Sequence, residues 1–331
     1  MDFRQKAIEY EDEFLSPYAA HSKDSLGRLR PIAPCVLRTD YQRDRDRIIH
    51  CKAFRRLKHK TQVFLAPEGD YYRTRLTHTL EVSQIARTIA FALRLNGDLT
   101  EAIALAHDLG HTPFGHAGER ALSRHIEFKH NVHSLRVVDV LENDGRGLNL
   151  TAEVRDGILN HTTSGHPSTL EGETVRWSDK IAYINHDIDD ALRGGVIKAS
   201  DIPSRYVKTF GTTHGERIDT MIMDIINNSY ASRRVEPSVP MKENIMGLRA
   251  FLFERVYTAG IAKKEEGKAE SMIEYLFEYY RDHSDKLPSG CLEAAGGDPS
   301  QAAADFVASM SDTYAIRVFE DLAVPRGWSA Q

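Results

Sequence analysis

Helical periodicity is the feature that most constrains the fold of this chain. Along nearly its whole length, apolar residues recur at a spacing of about 3.6, the period of an amphipathic helix. The alternation typical of strands is nearly absent, except over a short candidate hairpin at residues 63 to 73. We therefore predict an all-α fold, whose first half has helices at 40–60, 77–95, 99–108, 116–126, 131–143, 151–161 and 174–193.

The helical pattern continues beyond Gly195, but clusters of reactive side chains become sparse there. Residues 287–301 combine small residues with turn formers and are predicted to form a loop. We interpret this half as scaffold and oligomer surface, with helices at 215–230, 241–259, 264–283 and 299–322.

Composition and the N-terminal sequence limit the class of protein. A chain of 331 residues with 41% hydrophobic content can fill a proper core. The three cysteines are Cys35, Cys51 and Cys291, and their wide spacing argues against a disulfide framework and against a thiolate zinc site. The N-terminus is charged where a signal peptide is apolar, and no apolar run approaches the roughly 18 residues of a membrane span. We expect a cytoplasmic protein that does not enter a membrane.

Charge is concentrated in one segment. The net charge of −5 gives no global attraction to nucleic acid, yet residues 38 to 60 hold nine arginines and lysines against three aspartates. This run suits a solvated helix face with local ion pairs, and it equally suits a wall that faces phosphate.

The segment from Ala106 to His111 carries the strongest chemical signal. His107 and Asp108 close an apolar helix that ends at Gly110, so imidazole and carboxylate meet where the chain turns. A buried histidine bonded to a carboxylate explains such a pair as well as a metal site does, and the pair alone leaves both interpretations open.

Two further predicted helices carry polar side chains on faces that should be buried. His78 lies on the same face as an apolar stripe, where a lone histidine is more often a core histidine than a ligand. One face of helix 174–193 presents Asp179, Tyr183, Asp187 and Asp190 at i, i+4, i+8 and i+11. Solvated acidic faces are ordinary, but the apolar residues of this helix predict that it is largely buried.

The order His78, His107, Asp108 and Asp179 resembles the H…HD…D signature of HD-domain phosphohydrolases. The flanking sequence is most similar to the deoxynucleoside triphosphate (dNTP) triphosphohydrolases, over segments 38–64, 73–87, 106–119, 131–138, 170–191 and 251–257. This resemblance implies an HD-domain helical bundle with additional C-terminal helices. It also implies metal-dependent hydrolysis of a dNTP to a deoxynucleoside and inorganic triphosphate.

The same resemblance implies one divalent ion per chain, held by His78, His107, Asp108 and Asp179. Two imidazoles and two carboxylates suit Mn, Fe, Co, Ni or Zn, whereas Mg prefers oxygen ligands alone. Four protein ligands leave open positions for a phosphate oxygen and the attacking water.

The turn after the His-Asp pair is expected to carry the catalytic groups. His116 and Glu119 are spaced i, i+3, so the carboxylate can orient the imidazole, although structural caps explain such residues too. By resemblance they form an acid/base relay, while His111 and His130 line the phosphate site. His133 stands where close relatives often carry glutamine.

The remaining matched positions concern the substrate. By resemblance Arg75 and Lys180 hold the triphosphate, and Gln62 and Asp187 bind the 3′-hydroxyl of the sugar. Tyr183 would pack against the deoxyribose where a 2′-hydroxyl would clash, which is selection by exclusion.

Two other functions stay open at the level of sequence. One is another HD enzyme, such as a nucleotidase, an alarmone hydrolase or a cyclic-nucleotide phosphodiesterase, with a second metal recruited through His111 or His116. The other is a catalytically idle nucleotide or nucleic-acid sensor. The intact ligands and the intact His116–Glu119 pair argue against the sensor.

The resemblance also suggests an organisation of the chain and its partners. Residues 1–60 would be an N-terminal region whose basic helix forms part of the active-site wall, 61–195 the HD metal core, and 196–331 a C-terminal helical region at the oligomer surface. The expected partners are a dNTP, further copies of the chain and, as in some members, a second activating nucleotide.

Overall fold

The computed structural model of the protein describes residues 2–62, 73–257 and 260–325, with the backbone alone at 257 and 260–264. The candidate hairpin at 63 to 73 therefore lies, but for its last residue, outside the described residues. In the described part of the chain, β-structure is confined to two isolated bridges, Arg28 with Thr151 and Thr61 with Thr74. The predicted all-α class is confirmed.

Helices make up most of the described residues. They are α1 Phe3–Phe14, α2 Asp40–His50, α3 Lys52–Arg56, α4 Arg75–Ala92, α5 Gly97–Ala106, α6 His116–Ser123, α7 His130–Arg136, α8 Glu142–Gly145, α9 Ala152–Asn160, α10 Leu170–Arg193, α11 Ser204–Phe210, α12 His214–Ser229, α13 Val239–Leu252, α14 Gly260–Asp282, α15 Cys291–Ala294, α16 Pro299–Ser309 and α17 Asp312–Ala323. One turn of π-helix extends α7, and another extends α13.

Two predicted helices are interrupted, and each break has a local cause. The helix predicted at 40–60 stops at Cys51, where the Glu142 carboxylate accepts hydrogen bonds from the backbone N–H groups of Lys52 and Ala53. In a continuous helix these two N–H groups would donate to carbonyls of the preceding turn. Because the Glu142 carboxylate accepts their hydrogen bonds instead, one helix can end and a new one can begin there. The helix predicted at 299–322 breaks before Ser311, whose side chain caps α17.

Some helices were not predicted. The prediction had no helix at α1, whose only buried apolar residue is Ile8, so the apolar pattern there is too sparse to indicate one. Helix α11 is seven residues long, and α15 is a single turn inside the loop predicted at 287–301.

Two hydrophobic clusters make up the interior. The larger joins α2, α4, α5, α9, α10, α12 and α13. The smaller joins α6 to α14, α16 and α17. The loop between α5 and α6 runs between the two clusters. In the described residues no helix is long and apolar enough to cross a membrane. The domain boundaries at 60 and 195 stay a prediction.

Buried polar contacts tie the C-terminal helices to this loop. Asp312, at the start of α17, accepts hydrogen bonds from the backbone N–H of Phe114 at 3.0 Å and from both the N–H and the hydroxyl of Thr61. The buried Lys60 amine donates to the carbonyls of His111 and Ala308. The C-terminal region thus fixes the loop on which the candidate site stands.

Asp312→Ala is expected to lower the free energy of unfolding by about 2 to 6 kcal/mol. The substitution leaves two backbone donors without their acceptor, and each buried unpaired donor costs about 1 to 3 kcal/mol. Urea unfolding of the variant measures the change. The exposed Asp285→Ala serves as control, and a loss in Asp312→Ala no larger than in that control would contradict the anchoring role.

Candidate metal centre and substrate pocket

Four side chains from three helical elements converge at the centre of the larger cluster. His78 lies on α4, His107 and Asp108 follow α5, and Asp179 lies on α10. The His78 Nε2 atom lies 3.1 Å from Asp179 Oδ1 and 3.9 Å from Asp108 Oδ2. The His107 Nε2 atom lies 3.5 Å from Asp108 Oδ2 and 3.7 Å from Asp179 Oδ1. The structure therefore brings together the four residues predicted as ligands.

The close packing of the turn after α5 requires glycine at position 110. A β-carbon at Gly110 would lie 2.1 Å from the backbone nitrogen of Ser134 on α7. The Gly110 N–H also donates to the Ser134 hydroxyl at 2.9 Å. Helix α7 therefore packs directly against the His107–Asp108 turn, and a larger residue would push the turn away.

The protonation state of these four side chains favours the binding of a cation. The His107 Nδ1–H donates to the carbonyl of Ala104 at 2.7 Å, which leaves a lone pair on Nε2. That buried Nε2 has no hydrogen-bond partner among the described residues, although two carboxylates lie beside it. Burial would raise the pKa of Asp108, but the neighbouring His107 and the cationic Arg75 guanidinium hold it well below its usual range. Two ionised carboxylates and two imidazoles fit a divalent ion of the Mn to Zn series.

The pKa of Asp179 is lowered as well. Burial would raise its pKa, but the neighbouring imidazoles of His78 and His107 hold the pKa below its usual range. Arg75 completes the inner cluster, because its guanidinium donates to Asp108 Oδ2 at 2.6 Å and is itself buried.

Four further side chains form a second cluster beside the first. The Glu119 carboxylate accepts from His116 Nδ1 at 3.0 Å, from the His130 N–H at 2.9 Å and from His130 Nδ1 at 3.0 Å. The imidazole of His111 stacks on that of His130, with 4.3 Å between ring centroids. The predicted pairing of His116 with Glu119 is present in the structure. The sequence did not predict that Glu119 also binds His130.

Burial and hydrogen bonds shift the pKa values of the groups in this second cluster. Burial would raise the pKa of Glu119, but hydrogen bonds from His116 and His130 hold it far below its usual range. Burial would lower the pKa of His130, but the bond to Glu119 raises it on balance. Burial and the nearby Arg75 hold the pKa of His111 well below its usual range, so this imidazole is neutral. His116 has 68% of its side chain exposed and is open to the cavity.

Of the predicted substrate residues, Lys180, Tyr183 and Asp187 lie on α10. Burial and the nearby Arg176 lower the pKa of the Lys180 amine to about 8. Burial raises the pKa of Tyr183 to about 12, and its hydroxyl accepts from Arg249 Nε at 3.2 Å. Both oxygens of the buried Asp187 have no partner among the described residues, and burial raises its pKa well above its usual range. A protonated Asp187 can donate a hydrogen bond to a ligand oxygen.

These side chains surround one cavity of about 1100 Å³. Every predicted site residue lines it except His107, which is fully buried. Gln62 is the first lining residue in chain order, so the basic run at 38 to 60 supplies no lining side chain. Two of its arginines are bonded elsewhere: Arg45 pairs with Asp98, and Arg47 donates to the carbonyl of Leu148.

Two residues that the sequence interpretation missed also face the cavity. His161 follows α9 and is buried, its Nδ1–H donates to the Ile158 carbonyl at 2.7 Å, and burial lowers its pKa to about 4. Arg249 precedes the matched segment 251–257 by two positions, and a longer matched segment would have included it. No local pattern marks His161, because its neighbours come from distant parts of the chain.

Comparison with known proteins extends these observations. The HD domain family matches residues 75–184, and the phosphohydrolase-associated domain matches residues 235–321. The chain is 57% identical to a deoxyguanosinetriphosphate triphosphohydrolase-like protein of Caldanaerobacter subterraneus subsp. tengcongensis, over 100% of this chain and 98% of the relative. Relatives of the same name from Desulfatibacillum aliphaticivorans and Clostridium tetani are 47% and 44% identical, each over 98% of this chain and over 99% and 97% of their own.

Proposed function

The chain belongs to the family of HD-domain deoxyguanosinetriphosphate triphosphohydrolase-like proteins, and from that premise we propose that it hydrolyses a dNTP to a deoxynucleoside and inorganic triphosphate. The observation that carries the proposal is the arrangement of two clusters in one cavity. The candidate ligands His78, Asp108 and Asp179 lie beside the pair His116 and Glu119, and the cationic Arg75 and Lys180 line the same walls.

The proposed reaction places water at the α-phosphorus and breaks its bond to the 5′-oxygen. A divalent ion held by His78, His107, Asp108 and Asp179 would supply Lewis acidity to the phosphate and the attacking water. His116 lends or accepts a proton at its exposed imidazole, and the Glu119 carboxylate holds that ring in orientation.

The charged groups around the cavity would bind and orient the triphosphate. Arg75 offers a planar guanidinium, whereas Lys180 offers a compact amine that a pKa of about 8 leaves mostly protonated at neutral pH. His111 is neutral and stacked on His130, so it can donate a hydrogen bond to a phosphate oxygen.

Product analysis in ¹⁸O-labelled water tests the reaction. Incubation with each dNTP and NTP in the presence of Mn²⁺ should give deoxynucleoside and triphosphate, with the label in triphosphate. Label found only in orthophosphate would show attack at the γ-phosphorus and contradict the proposal.

The sugar is proposed to be selected by Tyr183 and Asp187. Tyr183 is held by Arg249 at the cavity wall, and the buried Asp187, whose pKa burial raises and whose two oxygens have no partner among the described residues, can hydrogen-bond the 3′-hydroxyl. Tyr183→Ala is expected to narrow the preference for dNTP over NTP, because it opens room for a 2′-hydroxyl. The ratio of kcat/KM for dGTP and GTP measures this, and the exposed Tyr230→Ala is the control. An unchanged ratio in Tyr183→Ala would contradict the exclusion role.

A second candidate function is favoured by one observation. Donor atoms of His111, His116, Glu119 and His130 lie within 4.8 Å of one another, and so do those of Asp108, His130 and His161, as a second divalent ion would require. Two ions per chain, together with activity on a nucleoside monophosphate or a cyclic nucleotide, would support another type of HD phosphohydrolase. One ion per chain with release of triphosphate would support the first proposal.

The homo-oligomer and the activating second nucleotide stay predictions. Light scattering of the purified chain, with and without dGTP, tests the first. Turnover of one dNTP in the presence of another tests the second.

A further inference from the structure

The His78 imidazole meets a second imidazole on the side opposite the metal cluster. Its Nδ1 atom lies 3.3 Å from His186 Nδ1, and the two rings meet edge to face at 84°. His186 is almost fully buried, and its Nε2 atom contacts a carboxylate oxygen of Glu81. Glu81 is in turn held by the Arg73 guanidinium at 3.3 Å. Side chains thus form an unbroken chain from Arg73 to His78.

Helix geometry explains why these residues meet. Glu81 follows His78 by three positions on α4, and His186 follows Asp179 by seven positions, two turns, on α10. Each pair therefore shares one face of its helix, and the two faces pack against each other. The pairing of α4 with α10 brings together the candidate ligands and the groups behind them.

The arrangement of donors and acceptors determines where the protons reside. His78 can offer Nε2 to a cation only when its proton is on Nδ1. That proton faces His186 Nδ1, which must then be the bare acceptor. The proton of His186 is consequently on Nε2, the atom that contacts the Glu81 carboxylate. The opposite placement would direct the bare Nε2 of His186 at the carboxylate and put a proton on His78 Nε2.

We propose that His186 and Glu81 are positioning residues that hold His78 in the Nδ1–H tautomer and so keep its Nε2 lone pair directed at the metal site. This inference rests on the proposed role of His78 as a ligand. His107 needs no such device, because the Ala104 carbonyl already accepts its Nδ1–H. Groups that orient a ligating histidine from behind are typically worth about 10- to 100-fold in metal affinity.

His186→Phe is expected to weaken Co²⁺ binding by about 10- to 100-fold, because it removes the acceptor of the His78 Nδ1–H. Calorimetric titration of the full-length, metal-free protein with Co²⁺ measures the affinity. ¹⁵N-imidazole spectra of the same metal-free protein report the tautomer. Native protein should show His78 protonated on Nδ1, and the variant should show it protonated on Nε2.

Two further variants make the result specific. Glu81→Leu should shift the tautomer in the same direction, and its partly exposed position makes it the safer variant if His186→Phe fails to fold. Glu81→Gln keeps an acceptor oxygen and should restore most of the affinity. The control is His214→Phe, because His214 stacks on His186 but has no contact with His78 in the described structure.

The outcomes separate this inference from the proposed function. Full Co²⁺ binding by His78→Ala would overturn the ligand set itself. Loss of Co²⁺ in His78→Ala, with native affinity and a native tautomer in folded His186→Phe, would overturn the positioning role alone.

Discussion

His107→Ala is expected to abolish binding of the divalent ion and hydrolysis together. The buried Nε2 atom of His107 has no hydrogen-bond partner among the described residues, so the substitution takes away this ligand atom and breaks only the bond from Nδ1–H to the Ala104 carbonyl. Lewis-acid stabilisation is worth several kcal/mol, and each 1.36 kcal/mol is tenfold in rate, so turnover should fall by about 10³ or more. Metal analysis and a dNTP assay on one preparation test both effects.

Asp108→Ala should lose the ion as well, but its result is less specific. Asp108 also accepts from the buried Arg75, so the substitution leaves that guanidinium unpaired and destabilises the metal-free protein. Thermal unfolding separates the two effects. Addition of Mn²⁺ should stabilise the native protein by about 2.7 kcal/mol when the Mn²⁺ concentration is 100 times the dissociation constant. Neither variant should be stabilised.

The exposed His166→Ala is the matched control for His107→Ala, and it should keep both metal and turnover. Full metal occupancy in both His107→Ala and Asp108→Ala would contradict the ligand set. Metal loss with native turnover would contradict the metal-dependent reaction.

The convergence of the candidate ligands was expected from the resemblance to HD-domain phosphohydrolases, and each ligand lies on, or directly after, a helix whose apolar face can be recognised in the sequence. Asp179 and Tyr183 share a face of α10 by spacing alone, and that helix lies in the core, as its apolar residues predict. Gly110 marked the turn after α5 in the sequence. The reason that this position needs glycine is the close packing of the turn against α7, which leaves no room for a side chain.

Other features could not be predicted because they depend on contacts between distant segments. The Glu142 carboxylate binds the backbone N–H of Lys52, 90 positions earlier in the chain, just after the end of α2. Asp312 binds Thr61, which is 251 positions away in the sequence. Spacing within one helix suggested that Glu119 binds His116, but the binding of His130 by the same carboxylate depends on how α7 packs against α6. Likewise, His186 acquires its place behind His78 only through the packing of α4 on α10.

His116→Ala is expected to lower kcat by about 10² to 10⁴ while metal content and dNTP affinity stay close to native. General acid/base assistance is typically worth that factor, and His116 bonds the carboxylate of Glu119 and no candidate metal ligand among the described side chains. Single-turnover measurements at saturating dNTP isolate the chemical step from binding. Glu119→Gln should lose less, because the amide oxygen can still accept from one of the two imidazoles that Glu119 holds.

His283→Ala is the matched control, since this exposed histidine lies at the far end of α14 and does not line the cavity. Metal loss in His116→Ala would make the residue a ligand and strengthen the two-metal alternative. Near-native turnover with metal bound would contradict the relay. His111 would then be the next candidate, because its neutral imidazole lies in the same cavity and its Nε2 atom is 3.5 Å from Asp108 Oδ1.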